Sequence, residues 1–101
     1  MRRAARIDDT QRALVPFLRA HGASVQSLAT VGKGTPDAIV GFHGVDCLCE
    51  FKTGAASPSA NQVQWHREWR GAKVRILRTE ADCLELLEYL RRAGRLLRGA
   101  A

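Results

Sequence analysis

The chain has little of what marks secreted, membrane or zinc-dependent proteins. Its three cysteines, Cys47, Cys49 and Cys83, are an odd set with no C-x-x-C, which argues against a disulfide framework and against a zinc site. No H-x-x-x-H spacing joins His21, His43 and His66, and no G-x-S-x-G places a serine nucleophile, so zinc and serine-hydrolase chemistry are set aside. No apolar run approaches the roughly 20 residues of a membrane span. The basic start Met1-Arg2-Arg3-Ala4-Ala5-Arg6 leads into no apolar signal core, so the expectation is a cytoplasmic protein that is not secreted. Repeats, low-complexity segments and dividing linkers are also lacking. One domain over 1–101 is expected, with a basic tip at 1–6 and a basic tail at 93–101. Acidic residues are outnumbered, 10 against 16 Lys and Arg, for a formal charge of +6. That balance favours a polyanionic partner, nucleic acid before membrane, because no basic amphipathic helix with an aromatic face stands out.

What is present centres on Gly34 to Lys52, GTPDAIVGFHGVDCLCEFK. From Val45 the chain alternates as a strand does: Val45, Cys47, Cys49 and Phe51 share one face, and Asp46, Leu48, Glu50 and Lys52 the other. A Gly41-Phe42-His43-Gly44 turn folds this strand beside Ala38-Ile39-Val40, bringing Asp37 roughly level with Glu50. Upstream, Asp8 or Asp9 caps a helix with Ala13, Leu14, Phe17 and Leu18 inward and Gly22 as its stop. Pro16 predicts a kink there, or a start only near Val15. Ala23 to Val31 reads as a strand, and the glycines around Lys33 mark either a close backbone approach, with the lysine on a phosphate, or an irregular link. Ser59 and Gln62 have capping-box spacing for a helix to about Arg70 that stacks Trp65 on Trp69 and stops at Gly71. Lys73 to Leu77 alternates as a strand. Thr79 caps a last helix with Leu84, Leu87 and Leu90 or Tyr89 buried and Gly94 as its stop. The expected architecture is α/β, more narrowly an α+β mixed sheet of about four strands flanked by helices, in the order α-β-β-β-α-β-α.

Asp37 and Glu50 held close repel unless a cation lies between them. Magnesium or manganese takes oxygen ligands, and Asp37, Glu50 and the backbone carbonyl of Phe51 form a partial shell for it. Lys52, on the Glu50 face, is placed to orient a water or to stabilise charge developing on a phosphate. The competing reading is a Glu50–Lys52 salt bridge on a solvated strand with Asp37 capping the turn. Trp65, Trp69 and the last helix serve either as core or as an interface.

Gly34, Pro36-Asp37 and Glu50-Phe51-Lys52, followed by Gly54, Gln62, Trp65-His66 and Trp69-Arg70-Gly71, resemble the PD-(D/E)XK nuclease superfamily, specifically its minimal VRR-NUC-type phage and prophage branch. The resemblance covers about Arg6 to Leu87. It implies a restriction-endonuclease-like core and metal-dependent hydrolysis of DNA phosphodiesters, with Asp37 and Glu50 as ligands, Lys52 as the catalytic lysine and Gln62 meeting the lysine or the scissile phosphate. Members often add a polar residue from the first helix, for which Asp8, Asp9 and Gln11 are candidates. The resemblance also implies a homodimer in a bacterial host, acting on branched DNA such as a Holliday junction or on duplex. Lys33, Arg67, Arg70 and the C-terminal arginines would meet phosphates; His21, His43 and His66 read as structural or surface residues, His66 being the one of the three best placed to face DNA. The alternatives are a non-catalytic DNA-binding module on the same fold and a structural protein whose hairpin charges are plain salt bridges.

Overall fold

The computed structural model describes residues 8–100, so the basic tip at 1–6 lies outside the described residues. Asp8, rather than Asp9, starts the first helix. Its Oδ1 accepts the Gln11 N–H at 2.8 Å and satisfies a donor that the first turn leaves open, and α1 runs Asp9–Ala20. Leu14 and Leu18 face inward, whereas Ala13 is exposed. The helix passes through Pro16 instead of beginning near Val15, because Pro16 lies on the exposed side, where a lost backbone hydrogen bond costs least.

β1 (Ser24–Ser27), β2 (Ala38–Phe42) and β3 (Val45–Phe51) form an antiparallel meander, and β4 (Arg75–Leu77) joins β3 in parallel at the far edge. β1 is shorter than the alternation to Val31 predicts. Leu28 gives its N–H to the Asp37 carbonyl at 2.8 Å, and the Val31 N–H then returns to Leu28 at 3.0 Å, turning the chain away. The hairpin turn is tighter than expected. His43 and Gly44, with φ of 54° and 81°, make it alone, which leaves Gly41 and Phe42 in β2. Phe42 therefore pairs with Val45, and Ala38 with Cys49.

α1 and α3 (Glu80–Ala100) cover one face of the sheet. Ala38, Val40, Cys47, Cys49, Phe51 and Leu77 meet Leu14 and Leu18 from α1 and Leu86 and Leu90 from α3 in one apolar core. Thr79 and Asp82 cap α3 reciprocally: Thr79 Oγ1 accepts the Asp82 N–H and Asp82 Oδ2 accepts the Thr79 N–H, both at 3.1 Å. Its buried stripe is Cys83, Leu86, Leu87 and Leu90, so Leu87 and, of the Leu90 or Tyr89 pair, Leu90 are buried as expected, while Leu84 is exposed, contrary to the sequence expectation. Gly94 does not stop the helix. A Cβ there would land on the His43 carbonyl, so this glycine lets α3 lie against the hairpin turn, and the helix continues through the basic tail to Ala100. Arg91 and Arg92 pair with Glu88 at 2.6 and 3.4 Å.

Cys47, Cys49 and Cys83 are all buried and reduced. Burial pushes the Cys83 thiol up to about 11, and Cys49 is raised by its bond with Cys47 and by burial. Cys49 and Cys83 should therefore react with a thiol reagent at least about 100-fold more slowly in the folded protein than in denaturant, with Cys47, lowered by its hydrogen bond with Cys49, the first to label and all three titrating after unfolding. Rapid native labelling of Cys49 or Cys83 would contradict this packing.

Candidate active site

One step beyond Ala38↔Cys49, the β2-β3 ladder puts Asp37 level with Glu50, and residues directly opposite share a face. Asp37 Oδ2 accepts the Phe51 N–H at 2.8 Å, which ties the start of β2 to the end of β3. Lys52, one residue past β3, gives its N–H to Leu77 of β4 at 3.1 Å, so the same end is pinned from both sides. The salt-bridge reading does not survive here: Glu50 is 0% exposed, and Lys52 turns to Gln62.

α2 (Ala60–Glu68) lies over the Glu50 face, with the capping box of Ser59 and Gln62 formed. Gln62 Oε1 accepts both the Ser59 N–H at 2.8 Å and Lys52 Nζ at 2.7 Å, so one side chain caps the helix and positions the lysine. The approach of α2 depends on Gly34, with φ of +82°, because a Cβ there would strike the Asn61 carbonyl and come within 3.2 Å of the Gln62 nitrogen. The close approach marked by glycine is thus to the protein's own helix. Lys33 is exposed beside it, bordering a cavity of about 310 Å³ with Asn61, Gln64, Trp65 and Glu68.

His66, one turn after Gln62, reaches under α2 to Glu50: Nε2 lies 2.8 Å from Oε1. Glu50 Oε2 is buried and has no hydrogen-bond partner. Of the two roles open to His66, structural or facing DNA, the fold gives it the first, and its partner Glu50 was not foreseen; the signal was the four-residue spacing from Gln62, which puts both on one helical face. Burial pushes the Asp37 carboxyl above the usual aspartate range, and nearby Asp8 adds to the rise, against the Phe51 N–H and Lys52. Asp8 is therefore the first-helix acid within electrostatic reach of Asp37. A hydrogen bond between the Thr10 and Thr53 hydroxyls holds the first turn of α1 against the segment after Lys52. Asp9 points elsewhere: its side chain is 97% exposed and pairs with Arg12 at 3.3 Å. Gln11 is buried in α1.

Among the described residues no group of three or more His, Cys, Asp and Glu side chains is gathered as a metal centre. A magnesium or manganese ion needs fewer protein ligands than that, since such ions take one or two carboxylates and fill the shell with water and phosphate oxygens. The site fits that chemistry. A wholly buried carboxylate with an unpartnered oxygen stands level with a carboxyl whose negative form burial disfavours, and a cation would satisfy both.

The helix ends sooner than Arg70, because Trp69 is its extended C-cap. Trp65 and Trp69 stack at 4.7 Å between centroids, 16° apart. They line a groove of about 440 Å³ with Leu28, Ile39 and Leu48 on the open face of the sheet, and Trp69 stays 47% exposed. Arg67 and Arg70 are exposed, and among the described residues no hydrogen bond or ion pair joins them to the acids.

Among the described residues, fold and site together define a class: an α+β protein with a four-stranded mixed sheet, three helices and an acid pair beside a helix-held lysine at one sheet end. Comparison of the chain with protein-family models, curated proteins and solved structures finds no match. Among the described residues no helix is long and apolar enough to cross a membrane.

Proposed function

We propose that this protein is a magnesium- or manganese-dependent DNA endonuclease that hydrolyses phosphodiester bonds, with Asp37 and Glu50 as cation ligands. The observation that carries the reading is the buried, half-partnered Glu50 carboxylate level with Asp37 and next to a lysine held by Gln62. A divalent ion at this position supplies positive charge to the phosphate and acidifies water. Asp37, fastened by the Phe51 N–H, and Glu50, fastened by His66, keep their remaining oxygens in place for it. The Phe51 carbonyl leaves the strand on the same side as its N–H, toward Asp37, which supports it as a third oxygen ligand. Lys52 presents its ammonium from a fixed position to stabilise charge developing on the scissile phosphate or to orient water. Lys33, Arg67, Arg70 and the arginines of α3 add sequence-independent phosphate contacts, in keeping with the charge of +6. Branched DNA as substrate and a homodimer belong to the same proposal, the dimer having the groove at Trp65 and Trp69 as available apolar surface.

A second reading, a non-catalytic DNA-binding module on the same fold, draws on the complete burial of Glu50 beneath His66. Labelled four-way junction, flap, duplex and single-stranded DNA incubated with magnesium or manganese separates the two. Metal-dependent cutting is expected. DNA binding without cutting under either metal would favour the module.

A further inference from the structure

We infer that His66 is a positioning residue that sets the cation affinity of Glu50, an inference that rests on the metal-ligand reading of Glu50. The Glu50 carboxylate is wholly buried, and its two oxygens differ: Oε1 lies 2.8 Å from His66 Nε2, and Oε2 has no partner. An ionised carboxylate only accepts hydrogen bonds, so His66 donates from Nε2 and that nitrogen is not itself a ligand. Fastened at one oxygen, Glu50 has a single orientation in which to present the other. A ligating carboxylate left to rotate loses ordering entropy on binding, and outer-shell partners of this kind are worth about 10- to 100-fold in metal affinity. His66 is held in turn by its helix. α2 is anchored at its start by the Ser59–Gln62 capping box and by the passage of Gly34 against Asn61, so the face that holds Lys52 through Gln62 also holds Glu50 through His66. One helix thereby positions both an acid and the lysine.

The test is Mn2+ binding to the purified full chain, measured by calorimetry and by the loss of free Mn2+ paramagnetic signal, without DNA. The parent protein is expected to bind Mn2+ and Glu50→Gln to lose most of that binding, which locates the ion. His66→Phe, which keeps the ring but removes the donor, should weaken binding about 10- to 100-fold. His66→Gln, whose amide N–H reaches as far as Nε2, should stay within about threefold of the parent. If His66→Phe does not fold, His66→Asn, whose amide ends short of Glu50, takes its place with the same expected loss. Parent-like Mn2+ affinity in His66→Phe or His66→Asn would overturn the inference and leave Glu50 as a ligand. Parent protein that binds no Mn2+, or binds it equally after Glu50→Gln, would overturn the metal reading and this inference with it.

Discussion

Lys52→Ala is expected to slow metal-dependent DNA cleavage by about 10²–10⁴-fold while leaving the fold and Mn2+ binding in place. The ammonium is fixed, not free to sample solvent: Nζ bonds Gln62 Oε1 at 2.7 Å, and the lysine backbone is tied to β4 through Leu77. A charge aimed in advance at a phosphate needs no reorganisation during the reaction, which is why its loss should appear in kcat more than in DNA affinity. Lys52 is one of 16 basic side chains, so removing it lowers the overall attraction to DNA only slightly. Gln62→Ala should act in the same direction more weakly, since it frees the lysine without deleting it, and should also cost about 1 kcal/mol through the broken cap. Single-turnover cleavage with saturating protein checks both. Unchanged cleavage in Lys52→Ala would remove the lysine from the chemistry.

The second large effect is structural. Gly34→Ala should destabilise the protein by about 2–5 kcal/mol, the sum of a left-handed backbone carrying a side chain and a methyl group driven into another segment's backbone. The Asn61 carbonyl cannot give way as a flexible side chain would, so the strain must be relieved by moving α2 outward. That movement would separate Gln62 from Lys52 and His66 from Glu50, so cleavage and Mn2+ binding should fall with stability. Gly32→Ala is the matched control: its φ is +76°, but nothing lies within 4 Å of the added Cβ, and its cost should be about 1–2 kcal/mol. Urea unfolding of both variants gives the comparison. Equal losses would show that the close approach to α2 contributes nothing.

Some of this architecture is legible in the chain because local chemistry decides it. Period-two alternation from Val45 to Phe51 separates the cysteine face from the Glu50 face, and the cysteine face is the one buried against α1 and α3. Ser59 and Gln62 announce a helix start whose two cap bonds both form. Pro36-Asp37 before one strand and Glu50-Phe51-Lys52 at the end of the next suffice to bring the acids level once the turn is tight. At two positions the local sequence leaves the outcome open, because a glycine marks freedom of the backbone without saying what uses it. Gly94 looked like a stop and proved to be clearance for the hairpin turn, and Gly34 proved to be clearance for α2.

By itself, the sequence determined the element order, the alternating faces of β3 and the capped starts of α2 and α3, since each depends on neighbours within a few residues. Only the tertiary structure decided where α2 lies, and with it the partners that matter most. Gln62 and His66 are 10 and 16 residues from the side chains they hold. Contacts over such separations follow from how a helix settles on a sheet, which depends on clearance at Gly34 and on the burial of Glu50 at the end of its face. No local pattern contains that information, so a carboxylate that alternation alone would place on a solvated strand is instead buried beneath a histidine.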